Sequence, residues 1–125
     1  MQLFDITQLA LERAIGGSAV RHQAIAANIA NANTPGFVPK DVDFHSALRT
    51  ALADAGRTTD EVQADLQHTS FSATPDGTVQ MRADGSGFDI DAQAAQLAGN
   101  GLEYEALISV AKGRIDIIKS AIGAR

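Results

Sequence analysis

"IAANIANANTPGFVPKDVDF" runs from Ile25 to Phe44, and its reading decides where the first helix of this chain must stop. An alanine-rich run carries it in, and Asn is a poor helix former, so Asn28, Asn31 and Asn33 each need a reason. Pro35 cannot continue a helix and pushes Thr34 out of the α region. Pro35-Gly36 suits the central pair of a type II turn, in which Gly supplies the positive φ. These rules end the helix near Ala32 or Asn33. The Asn amides can then donate to the last unpaired carbonyls, and Asn33 tolerates a left-handed conformation at the cap. Asn28 and Asn31 are three apart and share a helix face. Asn28 lies one turn before the stop, where local capping chemistry does not explain it. A polar residue beside a helix seam fixes register and partner, and that is the expected role of Asn28.

Outward from this stretch, both ends of the chain carry the same period. Toward the N-terminus, steps of four and three give Phe4, Gln8, Leu11, Ile15, Ser18, His22, Ile25, Ile29 and Ala32. Toward the C-terminus they give Leu97, Gly101, Tyr104, Ile108, Ala111, Ile115, Ile118 and Ile122, of which all but Gly101 are apolar. A 3.5-residue repeat sustained this long argues for a coiled-coil seam, and a single amphipathic helix on an ordinary core is the plainer alternative. Both readings make these residues contacts. The predicted fold is mainly α, with long terminal helices over 1–33 and 89–125 paired as an antiparallel, coiled-coil-like hairpin around a middle segment over 34–88. Gly16-Gly17, Gly99, Gly101 and Gly113 cost about 1 kcal/mol each inside a helix, so the ends are expected to fray until their seams are covered.

The middle segment differs in composition. Asp43 is a plausible N-cap for a short helix, with Phe44, Ala47, Leu48, Ala51 and Leu52 on one face and Gly56 as its stop. Residues 57–67 read only as polar and charged. "FSATPDGTVQMR", Phe71 to Arg82, reads as a small hairpin turning at Pro75-Asp76-Gly77, and 83–87 as a flexible joint.

Composition excludes several classes of function. At 125 residues the chain makes one small domain, or a domain with extended ends. A net charge of −5, with ten Lys and Arg scattered singly, argues against nucleic-acid binding and against a polybasic membrane patch. The absence of cysteine excludes disulfides, thiolate metal sites and a Cys nucleophile. The start, Met1 to Asp5, lacks a basic n-region, so no cleavable secretory signal is expected. No apolar run is long enough to span a membrane. His22, His45 and His68 lack metal-ligand spacing, and His22 is read as a satisfied interface histidine. "RADGSGFDIDAQ", Arg82 to Gln93, echoes a calcium loop. However, Arg82 and Gln93 replace the carboxylates that its first and last positions need. Asp89 or Asp91 is instead expected to start the last helix. No nucleophile elbow or phosphate loop appears, so neither an enzyme nor a cofactor, metal or small-molecule substrate is expected.

The opening stretch resembles the N-terminal signature of the bacterial flagellar rod and hook family. The matching positions are Asn28, Ile29, Ala30 and Asn31 at the helix end, then Thr34, Pro35, Gly36 and Phe37 in the turn. The direct continuation into "DVDF" and the short length are most like the proximal-rod members, and Phe88 to Ile122 is similar to their C-terminal segment. Gln93 stands where the family often has Glu, and the terminal helices are richer in glycine. The resemblance implies a structural subunit of the basal-body rod that self-associates through its terminal helices. It also implies export by the flagellar type III apparatus without a cleaved signal, and contacts with other rod subunits and the inner-membrane ring adaptor. A soluble helical adaptor or export chaperone is the alternative.

Overall fold

Two glycines in the middle of the first apolar run do not interrupt it. In the computed structural model, which describes residues 2–53, 56–79, 81–83 and 87–123 (2–5 by backbone course only), α1 is continuous over Gln2–Ala30. Gly17 has a packing reason, since a Cβ there would lie 2.6 Å from the Cβ of Phe44. The ring of Phe44 sits against bare helix backbone, and its burial contributes about 2–3 kcal/mol. Gly16, by contrast, faces open space.

Asp43 starts α2 (Phe44–Leu52) as expected, its Oδ1 accepting from the Ser46 N–H at 3.1 Å. Phe44, Leu48 and Ala51 are buried and Ala47 is half-buried, whereas Leu52 is exposed. The helix stops before Gly56 is reached, with Ala53 as its cap. The polar stretch that follows is ordered as α3 (Thr59–His68), which the charge pattern concealed. Thr58 and Glu61 form a reciprocal capping box, and Val62 and Leu66, one turn apart, enter the core. Among the described residues of 71–82, from which Gln80 is excluded, the two arms of the expected hairpin do not pair with each other. Its first half pairs with a distant segment instead: β1 (Lys40–Asp41) runs antiparallel to β2 (Thr74–Pro75). Asp76 N–H donates to the Pro39 carbonyl at 2.9 Å, and the Asp76 carboxylate binds Thr78 in a local turn. Met81 bridges to Phe88 across the predicted joint. Asp84, Gly85 and Ser86 of that joint lie outside the described residues.

The chain closes with α4 (Ile90–Gly123), a continuous helix through Gly99, Gly101 and Gly113. Asp89 Oδ1 accepts from the N–H groups of Asp91 and Ala92 at 2.9 and 3.3 Å, which starts the helix as expected. The main apolar core gathers Ala14 and Ala24 of α1 with Val42, Phe44, Leu48, Ala51, Val62 and Leu66. It therefore lies where α2 and α3 pack on α1. The α1–α4 pair is a second layer, antiparallel, and its interior has a different character.

Candidate functional site

Where α1 meets α4, the buried side chains are largely polar. Ser18, Asn28, Gln93 and Asn100 are each no more than 2% exposed. They pair in two rungs. In the first, Asn100 Nδ2 donates to the Ser18 carbonyl at 2.9 Å, and Ser18 Oγ lies 3.4 Å from Asn100 Oδ1. In the second, Asn28 Nδ2 donates to Gln93 Oε1 at 2.9 Å. The numbers rise along α1 as they fall along α4, which is the antiparallel register. No buried side-chain nitrogen or oxygen among the described residues lacks a partner. A one-turn slip would leave four such groups unpaired in the interior, at about 1–3 kcal/mol each.

Asn28 does more than join two helices. Its Nδ2 also donates to the Lys40 carbonyl at 2.8 Å, and its Oδ1 accepts from the Lys40 N–H at 2.9 Å. The amide thus pairs with Lys40 as a neighbouring strand would, while the adjacent Asp41 takes a bidentate bond from Arg21 at 2.8 and 3.0 Å. That hydrogen bond with Asp41 holds the Arg21 guanidinium above its ordinary pKa. One asparagine therefore fastens α1, β1 and the start of α4 together. The side chain whose role local chemistry left open fixes register inside this chain, 1% exposed.

The remaining motif residues build the stop. Asn31 Nδ2 donates to the Ala27 carbonyl at 2.8 Å, as an end-of-helix amide should. Thr34 and Phe37 close the turn over Pro35 with Gly36 at φ +75, in agreement with the type II reading. The helix ends at Ala30, two residues early, and Asn33 is not left-handed, since among the described residues only glycines have positive φ. Ile29 is half-buried, Ala30 exposed, and Phe37 half-buried with its ring centroid 6.4 Å from that of Phe88. Close approach here rests on Gly87, whose φ is +145 and where a Cβ would stand 2.2 Å from the Ala32 carbonyl oxygen.

The predicted seams are covered unevenly. On α1, Ile25 is buried and Leu11, Ile15 and Ile29 are half-buried, while the side chain of Phe4 lies outside the described residues. On α4, Leu97, Ile108 and Ala111 are half-buried, and Tyr104, Ile115, Ile118 and Ile122 are exposed. His22 is exposed in the single chain. Gly17, Gly87 and Asn100 are the structural residues that periodicity missed. Gly17 had no sequence signal, because its need comes from Phe44 on another helix. Asn100 had one, as a polar residue seven positions after Gln93.

Among the described residues, no group of three or more His, Asp or Glu side chains is placed to hold a metal ion. Among them, no helix is long and apolar enough to cross a membrane. A depression of about 480 Å³ between α2 and α3 is a shallow opening lined by Ser46, Thr50, Asp65 and His68 among others.

Comparison with known proteins places these features in a family. Residues 18–37 match the family model described as flagella basal body rod protein. That span begins at the Ser18 rung and ends at Phe37. The flagellar basal body rod protein FlgB of Escherichia coli is 33% identical over 116 residues, covering 83% of each chain. The FlgB protein of Bacillus subtilis is 27% identical over 98% of this chain and 97% of its own. That of Yersinia enterocolitica is 31% identical over 89% of both.

Proposed function

This chain belongs to the flagellar basal body rod protein family, and from that premise we propose how it acts as a structural subunit of the proximal rod. It polymerises through its terminal helices into the drive shaft between the inner-membrane ring and the distal rod. The terminal segments, 1–33 and 89–125, form the core of the polymer through α1 and α4, and 34–88 packs outside it.

The observation that carries this reading is the exposed end of α4. Ile115, Ile117, Ile118 and Ile122 are 41–74% exposed on one continuous helix. A monomer gains nothing from such a surface, and a subunit buries it against neighbours. The motif residues Asn28 to Phe37 serve assembly indirectly in this reading, by holding α4 at the angle from which its end projects. The relatives named above are structural rod proteins rather than enzymes or chaperones. The finer assignments rest on the family: other rod subunits and the inner-membrane ring adaptor as neighbours, a periplasmic position in the basal body, and delivery by the flagellar type III apparatus without a cleaved signal.

A complementation experiment tests it. In a flagellated host lacking its own proximal rod protein, this chain should restore flagella and swimming. The variant Ile115→Asp/Ile118→Asp/Ile122→Asp should keep the thermal melt of the parent and restore neither. Swimming cells carrying that variant would overturn the proposed use of the α4 end.

A further inference from the structure

The exposed isoleucines of the α4 tail lie on a stripe offset from the residues that bond to α1. Gln93, Asn100 and Leu107, seven residues apart, face α1 and the core. The heptad of the sequence, Leu97, Gly101, Tyr104, Ile108, Ala111, Ile115, Ile118 and Ile122, includes Gly101 and Ile108, one residue after Asn100 and Leu107. Adjacent residues on a helix point about 100° apart. With the first stripe seated on α1, the second is half-buried at Leu97, Gly101, Ile108 and Ala111, and its end, Ile115, Ile118 and Ile122, stays exposed and needs another helix.

Two features say which helix. At the upper part of this heptad, His22 of α1 with Gly101, Tyr104 and Glu105 of α4 lines a depression of about 290 Å³. It continues along Tyr104, Glu105, Ile108, Ser109 and Lys112 as a second hollow of about 320 Å³, so that Glu105 is its one acid and Lys112 lies at its far end. Gly101 keeps it open, since a Cβ there would meet nothing within 4 Å. The other feature is charge. From residue 112 onward the sequence holds Lys112, Arg114, Lys119 and Arg125 against a single acid, Asp116. Residues 1–111 hold six basic side chains against fourteen acidic ones. A basic, apolar tail on an acidic body is complementary to a second copy of itself.

We propose that the α4 tail of one copy, through Ile115, Ile118 and Ile122, seats in the His22–Gly101–Tyr104–Glu105 groove of the next copy, with Lys119 against Glu105. The contact joins two different surfaces, so it does not close on itself and propagates head to tail. The inference rests on the rod-subunit reading above and names the partner face that reading leaves open.

The chain has no cysteine, so introduced pairs report cleanly. Basal bodies from swimming cells expressing Tyr104→Cys/Ile118→Cys, oxidised and run under non-reducing denaturing conditions, should give a ladder of cross-linked multimers. Each single-cysteine variant alone should give none. A product that stops at the dimer would mean a symmetric antiparallel contact and would overturn the head-to-tail arrangement. No cross-link in cells that swim would overturn the groove while leaving the rod subunit intact. Failure of the unmodified chain to restore flagella would instead remove the reading on which the groove rests. Charge reversal gives a second test: Glu105→Lys and Lys119→Glu should each reduce swimming at least severalfold, and the double variant should recover it. Singles that swim like the parent, or a double variant no better than the singles, would exclude the Lys119–Glu105 pairing.

Discussion

Up to Ala111, α4 is tied to the rest of the chain through Gln93, Asn100 and Leu107. From Lys112 to Gly123, every described side chain except Arg114 is exposed. The first part spends its polar residues inside, and the second puts its isoleucines outside. This inverts the usual arrangement for a monomer. Buried amides pair in one register only, so they position the helix; uncovered isoleucines accept any well-shaped apolar partner and supply driving force. Substitutions in the first part should therefore cost the fold, and those in the second should cost only the assembly.

The sharpest way to break the docked part is Gly87→Ala. It forces a Cβ toward the Ala32 carbonyl at a φ that disfavours side chains, and should lower unfolding stability by about 3 kcal/mol or more in urea titration. Asn28→Ala comes next. It leaves the Lys40 N–H and carbonyl and the Gln93 amide without their partner, so a loss of about 2–3 kcal/mol is expected. Rapid hydrogen exchange at the Lys40 amide would accompany that loss. A stability equal to the parent would show that Asn28 acts between subunits instead. Thr58→Ala removes the capping box of α3, away from both parts of α4, and should cost about 1 kcal/mol by the same titration.

Ile118→Asp should change stability by less than about 0.5 kcal/mol and yet abolish swimming. A large loss of stability would mean that the tail is docked in the monomer. Acid provides the mildest probe. Hydrogen bonds from Ser46 hold the Asp43 carboxyl below its ordinary pKa, and bonds from Thr58 do the same for Glu61. Both groups are lowered on folding, so their contribution is complete above the ordinary carboxylate range and fades as pH falls through the folded values. Helix content followed by circular dichroism should drop slightly on acidification through that window, and less so in Thr58→Ala.

Much of this was legible in residue order. Pro35-Gly36 placed the first helix end within two residues, because proline sterics and glycine φ are local. Asp43 and Asp89 were readable as caps for the same reason. The α3 helix has a local signal under its charge: Thr58 and Glu61 are the spacing of a capping box, and Val62 and Leu66 sit one turn apart inside a charged run. The β1–β2 pairing was not legible. Two-residue strands carry no periodicity, and their partner is set by where Asn28 and Arg21 hold Lys40 and Asp41.

By itself, the sequence determined the two long helices, the Asp89 start of α4, and the heptad along α4, since each depends on neighbours within a turn or two. It also pointed to the flagellar rod through eight residues around Asn28. Tertiary structure alone decided which stripe of α4 faces inward. That choice turns on Asn28 meeting Gln93 and Ser18 meeting Asn100, pairs separated by 65 and 82 positions. Their hydrogen bonds have meaning only once both helices are folded and side by side. With the polar rungs turned in, the heptad of isoleucines is left facing out, available to the next subunit.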